Sequence, residues 1–218
     1  LDVGEELYAL DGPSDYATSI AFNNDGSRLA TYHRVGWIYV WDMTNGELIS
    51  EIPALPHSGN IAYVPGTNLL VQADDASLRG NLMVWDTETG YIVNNLVPRF
   101  ANVNEERLYL DNLQLRTPNA LLRIFPLSDG ETIYTPTLMD SIMRWNLNTG
   151  EVTDLLPIPE DVRTFRFWDM AFSADEQTAF FTDSNNDTIS QIDLATGEIL
   201  TIYDIADSGL TSRGTIDV

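Results

Sequence analysis

Cysteine and lysine are both missing from this chain of 218 residues, and histidine occurs only twice. Without cysteine there is no disulfide, no thiolate metal site and no thiol nucleophile. With only His33 and His57 to call on, and neither at ligand spacing from the other, a zinc or copper site is disfavoured. A serine nucleophile needs a histidine or lysine partner, and no Gly-x-Ser-x-Gly elbow occurs, so acyl-transfer hydrolysis is disfavoured too. No apolar run reaches the roughly 18 residues of a membrane span. No basic, apolar, then small-residue leader opens the chain. The first residue is Leu1 rather than Met, which points to processing, trimming or a longer parent chain.

Positive charge is scarce as well. Eleven arginines face 33 Asp and Glu, giving a formal net charge of −22. Such a surface repels phosphate backbones and anionic headgroups, so nucleic-acid binding is not expected. The acidity could suit divalent cations, and with the absence of lysine it leans towards an extracytoplasmic, secreted or high-salt setting. What the chain does have is core-forming material. Hydrophobic residues make up 44% and aromatics 10%, enough for a packed fold rather than a disordered one.

That material is arranged in repeats. One phrase recurs four times: Trp41-Asp42-Met43-Thr44-Asn45-Gly46-Glu47, Trp85-Asp86-Thr87-Glu88-Thr89-Gly90-Tyr91, Trp145-Asn146-Leu147-Asn148-Thr149-Gly150-Glu151 and Ile192-Asp193-Leu194-Ala195-Thr196-Gly197-Glu198. From Trp41 to Trp85, Trp145 and Ile192 the steps are 44, 60 and 47 residues. Upstream of each phrase lies an apolar stretch that ends in a turn, such as Ala21-Phe22-Asn23-Asn24-Asp25-Gly26 or Ala62-Tyr63-Val64-Pro65-Gly66. Asp-Gly and Pro-Gly supply the backbone angles of a tight hairpin. In the first unit the strands are expected at Thr18–Phe22, Arg28–His33, Trp37–Asp42 and Glu47–Ile52, short, β-branched and aromatic. The tryptophan is expected to fill the wedge between neighbouring blades. The acidic residue after it ties down the turn, and the glycine permits the reversal into the fourth strand.

The Trp-Asp…Thr-Gly phrase and the Phe-x-x-Asp-Gly turn resemble WD-repeat and related bacterial β-propeller repeats of a degenerate kind, over nearly the whole chain. The Gly-His pair common in that family is absent, and His57-Ser58-Gly59 is the nearest thing to it. The resemblance implies an all-β propeller of four-stranded antiparallel blades. Blades are expected at about 17–53, 59–97, 119–157 and 168–204, with a strand at 5–10 belonging to a preceding or closing blade. The segment 98–118 reads as an inserted hairpin, with a strand pair from an eroded extra blade as the rival. Four blades and a fraction leave open edges, so further blades of the same polypeptide or a protein partner are expected to complete the ring.

Candidate sites are few. Asp183, Asn185 and Asp187 place oxygens at alternate positions as calcium loops do, but Thr188 stands where the glycine belongs. The same residues suit a β-turn, and that reading is preferred. Loops leading into first strands would gather at one mouth of a propeller. Within them, Tyr16, Arg163, Arg166 and Trp168 are of the types that anchor protein interfaces. The functional expectation is a non-enzymatic interaction or assembly scaffold with no cofactor. The alternative is a propeller enzyme or carbohydrate-binding protein with an acidic channel site, assisted by calcium.

Overall fold

The computed structural model describes residues 9–12, 15–56, 60–73, 81–100, 123–136, 141–157, 167–183 and 187–205. Among them every regular element is a strand. The first sheet comprises β1 (Ala17–Phe22), β2 (Arg28–His33), β3 (Trp37–Asp42) and β4 (Leu48–Pro53). The second comprises β5 (Ile61–Tyr63), β6 (Leu69–Ala73), β7 (Leu82–Asp86) and β8 (Ile92–Leu96). A two-residue strand, β9 (Arg99–Phe100), follows. The third sheet comprises β10 (Phe125–Pro126), β11 (Thr132–Pro136), β12 (Ser141–Asn146) and β13 (Glu151–Pro157). The fourth comprises β14 (Phe167–Phe172), β15 (Thr178–Asp183), β16 (Thr188–Asp193) and β17 (Ile199–Asp204). Each sheet is an antiparallel meander in chain order. The exception is an addition: β9 pairs parallel to β13 and makes the third sheet five-stranded. The rest of the long insertion, and residues 5–8 of the strand expected at 5–10, lie outside the described residues.

The turn chemistry explains why the strands stop where they do. Asp42, Asp86, Asn146 and Asp193 each accept a hydrogen bond through Oδ1 from the backbone N–H two residues on. The last three also hold the N–H of the third residue on. Gly46, Gly90, Gly150 and Gly197 then turn the chain back with φ between 70° and 76°, where a Cβ would be penalised. The β14–β15 hairpin does without glycine: Glu176 takes φ 54° in the position that Gly26 holds in the first unit.

Cross-strand rows show how the blades stack. Residues directly opposite in an antiparallel ladder share a face. Phe22, Leu29 and Trp41 therefore form one row, with Ile20, Thr31 and Tyr39 beside it. In the second sheet the matching rows are Tyr63-Leu70-Trp85 and Ile61-Gln72-Met83. In the fourth they are Phe172-Ala179-Ile192 and Met170-Phe181-Ser190. The Trp85 face packs against Ala30, Tyr32, Ile38, Val40 and Ile52 of the first sheet. The Trp145 face packs against Val71, Val84 and Leu96 of the second, and the Ile192 face against Tyr134 and Ile142 of the third. Each phrase residue thus points at the preceding blade, and three shared cores join the four sheets in chain order. Trp41 points the same way, but its cluster holds only residues of the first unit and Leu10.

Candidate partner-binding surface

The side chains that close these cores also build the surface of the first unit. Trp41 Nε1–H donates to Thr31 Oγ1 at 3.0 Å. Thr31 Oγ1 lies 3.2 Å from His33 Nε2, and His33 Nδ1 lies 3.0 Å from the Asp15 carbonyl. A carbonyl only accepts, so Nδ1 carries the proton and Nε2 accepts from the Thr31 hydroxyl. All three side chains are buried. The relay therefore runs one way, from the indole through Thr31 and His33 to the backbone of the segment leading into β1. His33 holds this segment through its two ring nitrogens.

On that anchored frame sits an exposed cluster. Asp15 Oδ2 accepts from the Val35 N–H at 3.2 Å, joining the segment before β1 to the turn between β2 and β3. Tyr16 is 62% exposed, and its hydroxyl accepts from Arg34 Nη1 at 3.0 Å. This hydrogen bond, with the nearby Tyr16 and Asp15 groups, pushes the Arg34 pKa upward. Val35 and Trp37 add exposed apolar surface alongside. Of the four residues singled out in the sequence, the structure places Tyr16 in this cluster. Arg163 and Arg166 lie outside the described residues. Trp168 lies on β14, within an irregularity of the ladder between Phe167 and Met170. Arg34, Val35 and the His33 relay were not anticipated. A signal for the relay exists: Thr31, Gln72 and Thr135 each stand two residues past the apolar partner of a tryptophan and accept its indole N–H. In the last unit Ile192 replaces tryptophan and Phe181 replaces the acceptor.

Two of the three calcium candidates are described. Asp183 pairs with Thr188 across the β15–β16 ladder, and Asp187 sits in the turn at φ 49°. Asn185 lies outside the described residues. No group of three or more His, Asp or Glu residues spaced for a metal ion occurs among the described residues.

The opposite face, formed by the turns within β1–β2 and β3–β4 and their counterparts, carries Asp25, Asp42, Asp129, Asp175 and Asp193 among its aspartates. Hydrogen bonds hold four of their carboxyls below the ordinary range. The donors are the Ser27 hydroxyl and N–H for Asp25, those of Thr44 for Asp42, and the Ser173 hydroxyl for Asp175. For Asp193 they are the Thr196 N–H and hydroxyl. Partial burial pushes Asp129 up, but hydrogen bonds from Thr132 and Glu131 outweigh it and leave that carboxyl low as well. A general acid needs a carboxyl raised towards neutrality, the reverse of what these turns impose.

Four-stranded antiparallel sheets stacked through tryptophan rows define a WD-repeat-like β-propeller architecture. Comparison with curated proteins agrees. The chain is similar to the small ribosomal subunit protein RACK1y of Oryza sativa subsp. japonica, 22% identical over 139 residues that cover 64% of this chain and 37% of that protein. It is also similar to RACK1z of the same organism, 25% identical over 125 residues that cover 57% and 33%. Both are WD-repeat propeller proteins. The chain spans about a third of the length of the curated relatives it matches. No family model matches it.

Proposed function

We propose that this chain is a non-enzymatic protein-interaction module, of the WD-repeat-like kind met in bacterial propellers, that docks a protein partner through the Tyr16–Arg34 surface. The observation that carries this is the exposed Tyr16–Arg34 pair fixed on a buried relay. Tyrosine and arginine are favoured interface anchors, and a preorganised pair loses little conformational freedom on binding. The scaffold role accords with the propeller relatives. Their place in the small ribosomal subunit is not carried over, because a net charge of −22 opposes contact with ribosomal RNA. Asp25, Asp42, Asp129, Asp175 and Asp193 serve the turns, where hydrogen bonds hold their carboxyls low.

The test begins by selecting ligands for the chain from a displayed peptide library. Tyr16→Ala and Arg34→Ala are each expected to weaken the selected ligands by at least about 30-fold, a loss of about 2 kcal/mol typical of an anchor residue. Arg28→Ala, on the opposite turn face, should leave binding unchanged. Ligands that bind all three variants equally would refute the assignment of this surface.

A further inference from the structure

The hydrogen-bonding groups around Tyr16 and Arg34 are unevenly engaged. A guanidinium carries five N–H donors and no acceptor. One of them, on Arg34 Nη1, goes to the Tyr16 hydroxyl oxygen at 3.0 Å. Because that oxygen accepts, the hydroxyl proton is left for a further acceptor. Two acceptors of the surrounding frame are already taken. The Asp15 carbonyl holds the His33 ring N–H at 3.0 Å, and Asp15 Oδ2 holds the Val35 N–H at 3.2 Å. Among the described residues no carboxylate lies within 4.0 Å of the Arg34 guanidinium. What faces outward is therefore a cation and an O–H side by side, both donors. Apolar area adjoins them, with Val35 61% and Trp37 38% exposed.

The turn that carries Arg34 and Val35 is pinned from behind. The Gly36 N–H donates to the His33 carbonyl at 2.9 Å, and the Gly36 carbonyl accepts from the Ala54 N–H at 2.8 Å. Gly36 takes φ 93°, and a Cβ there would lie 3.0 Å from both the Ala54 carbonyl oxygen and the Pro56 nitrogen. Glycine alone lets the turn sit so close to the segment after β4. The donors are thus held in place before any partner arrives, which lowers the ordering cost of binding.

We propose that the partner presents a side-chain carboxylate to this surface, on an acidic residue with an apolar neighbour. One carboxylate oxygen takes the Tyr16 O–H, the other takes the free Arg34 N–H groups, and the apolar neighbour covers Val35 and Trp37. The proposal rests on the docking role given above to Tyr16 and Arg34, and names the chemistry they select. Charge-assisted pairs of this kind are the strong ones, and a carboxylate accepts through two oxygens without bringing a donor. An amide side chain would set its own N–H groups against these donors, and a basic one would be repelled by Arg34. A phosphoryl group is also an acceptor, but its second charge is opposed by the net charge of −22.

Peptides selected on the native chain from a random displayed library, then synthesised with amidated C-termini, are the probes. They are expected to carry an Asp or Glu beside an apolar residue. Replacing that acid by its amide should weaken binding to the native chain by at least about ten-fold, as loss of a charge-assisted pair does, and by less than about two-fold in Arg34→Ala. Tyr16→Phe, which keeps the ring and removes the hydroxyl, should weaken the acidic peptide more than its amide. If Tyr16→Ala and Arg34→Ala weaken binding but the acid-to-amide change does not, the docking surface stands and the carboxylate reading falls. Tighter binding when phosphoserine replaces the acid would assign the surface to a phosphoryl group instead. An empty selection, or ligands that bind both alanine variants as well as the native chain, would overturn both readings.

Discussion

Replacing Thr135 by valine tests the link between the tryptophan phrase and the strand before it. Thr135 is fully buried, and its Oγ1 accepts the Trp145 indole N–H at 2.8 Å. Valine has nearly the same shape, so Thr135→Val removes the acceptor with little change in packing. A buried donor left without a partner costs about 1–3 kcal/mol. At the middle of that range, the melting temperature of a chain this size falls by about 4–8 °C. Trp145→Phe removes the donor and opens space in the core shared with the second sheet, at a cost of its own. The informative quantity is the double-mutant cycle. Once the indole N–H is gone, the Thr135→Val change has no orphan to create, so the double variant should be more stable than the sum of the single losses by about 1 kcal/mol or more. Urea unfolding of the four proteins, followed by circular dichroism, supplies the numbers. The fourth blade already shows an apolar version of this pair in Phe181 and Ile192. Strict additivity, or a neutral Thr135→Val, would refute the claim that strand-two polarity exists to serve the indole.

Other consequences are simpler. Ile142 is fully buried between the third and fourth sheets, so Ile142→Ala should cost about 2–5 kcal/mol in urea unfolding, against less than about 0.5 for the exposed Ile202→Ala. The folded-state carboxyls of Asp25, Asp42, Asp175 and Asp193 are depressed. Their contribution to stability is therefore complete above the unfolded value near 4 and is lost as pH falls through the lower folded values. Asp193→Asn keeps the accepting oxygen, as Asn146 does naturally, and should flatten the fall of melting temperature below about pH 4; an unchanged slope would count against the turn role. Glu176 combines a left-handed backbone with hydrogen bonds accepted from the Ser128 N–H and hydroxyl at 2.9 and 2.7 Å. Glycine there relieves about 1–2 kcal/mol of backbone cost while alanine keeps it, and neither retains the bonds, so Glu176→Gly should have a higher urea midpoint than Glu176→Ala.

Local chemistry is the part of this fold that could be read directly from the chain. Asp-Gly and Pro-Gly pairs, and the aspartate four residues ahead of a glycine, act within a few residues, so their hairpins follow from the sequence alone. The expected strands of the first unit match β1 to β4 closely, with β4 beginning at Leu48 instead of Glu47 and running on through Pro53. Features set by distant partners were less visible. Two residues, Arg99 and Phe100, carry no alternation that could announce a parallel strand against β13. Arg34 and Asp15 are ordinary loop residues in the sequence, and they form a site only because His33 ties one segment to the other. His33 itself looked like an isolated histidine, since its partners lie two residues before it on β2 and 18 residues away at Asp15.

Direction is the property that turns these local pieces into an arc. A tryptophan on the third strand could in principle face either neighbour, and nothing in its own phrase decides which. The hydrogen-bond acceptor decides it. Thr31, Gln72 and Thr135 lie in the row next to the tryptophan, on the same face, so the polar atom and the ring must be buried together against one neighbour. The preceding blade offers the apolar rows that can do this, and the following blade meets the opposite face, the seat, which carries no tryptophan of the phrase. Reversing one blade would set an indole and its acceptor against another indole and leave two seat faces together. Each repeat therefore has a tryptophan side and a seat side, and the exposure of Ile20 and Phe22 follows from the first repeat having its tryptophan side open.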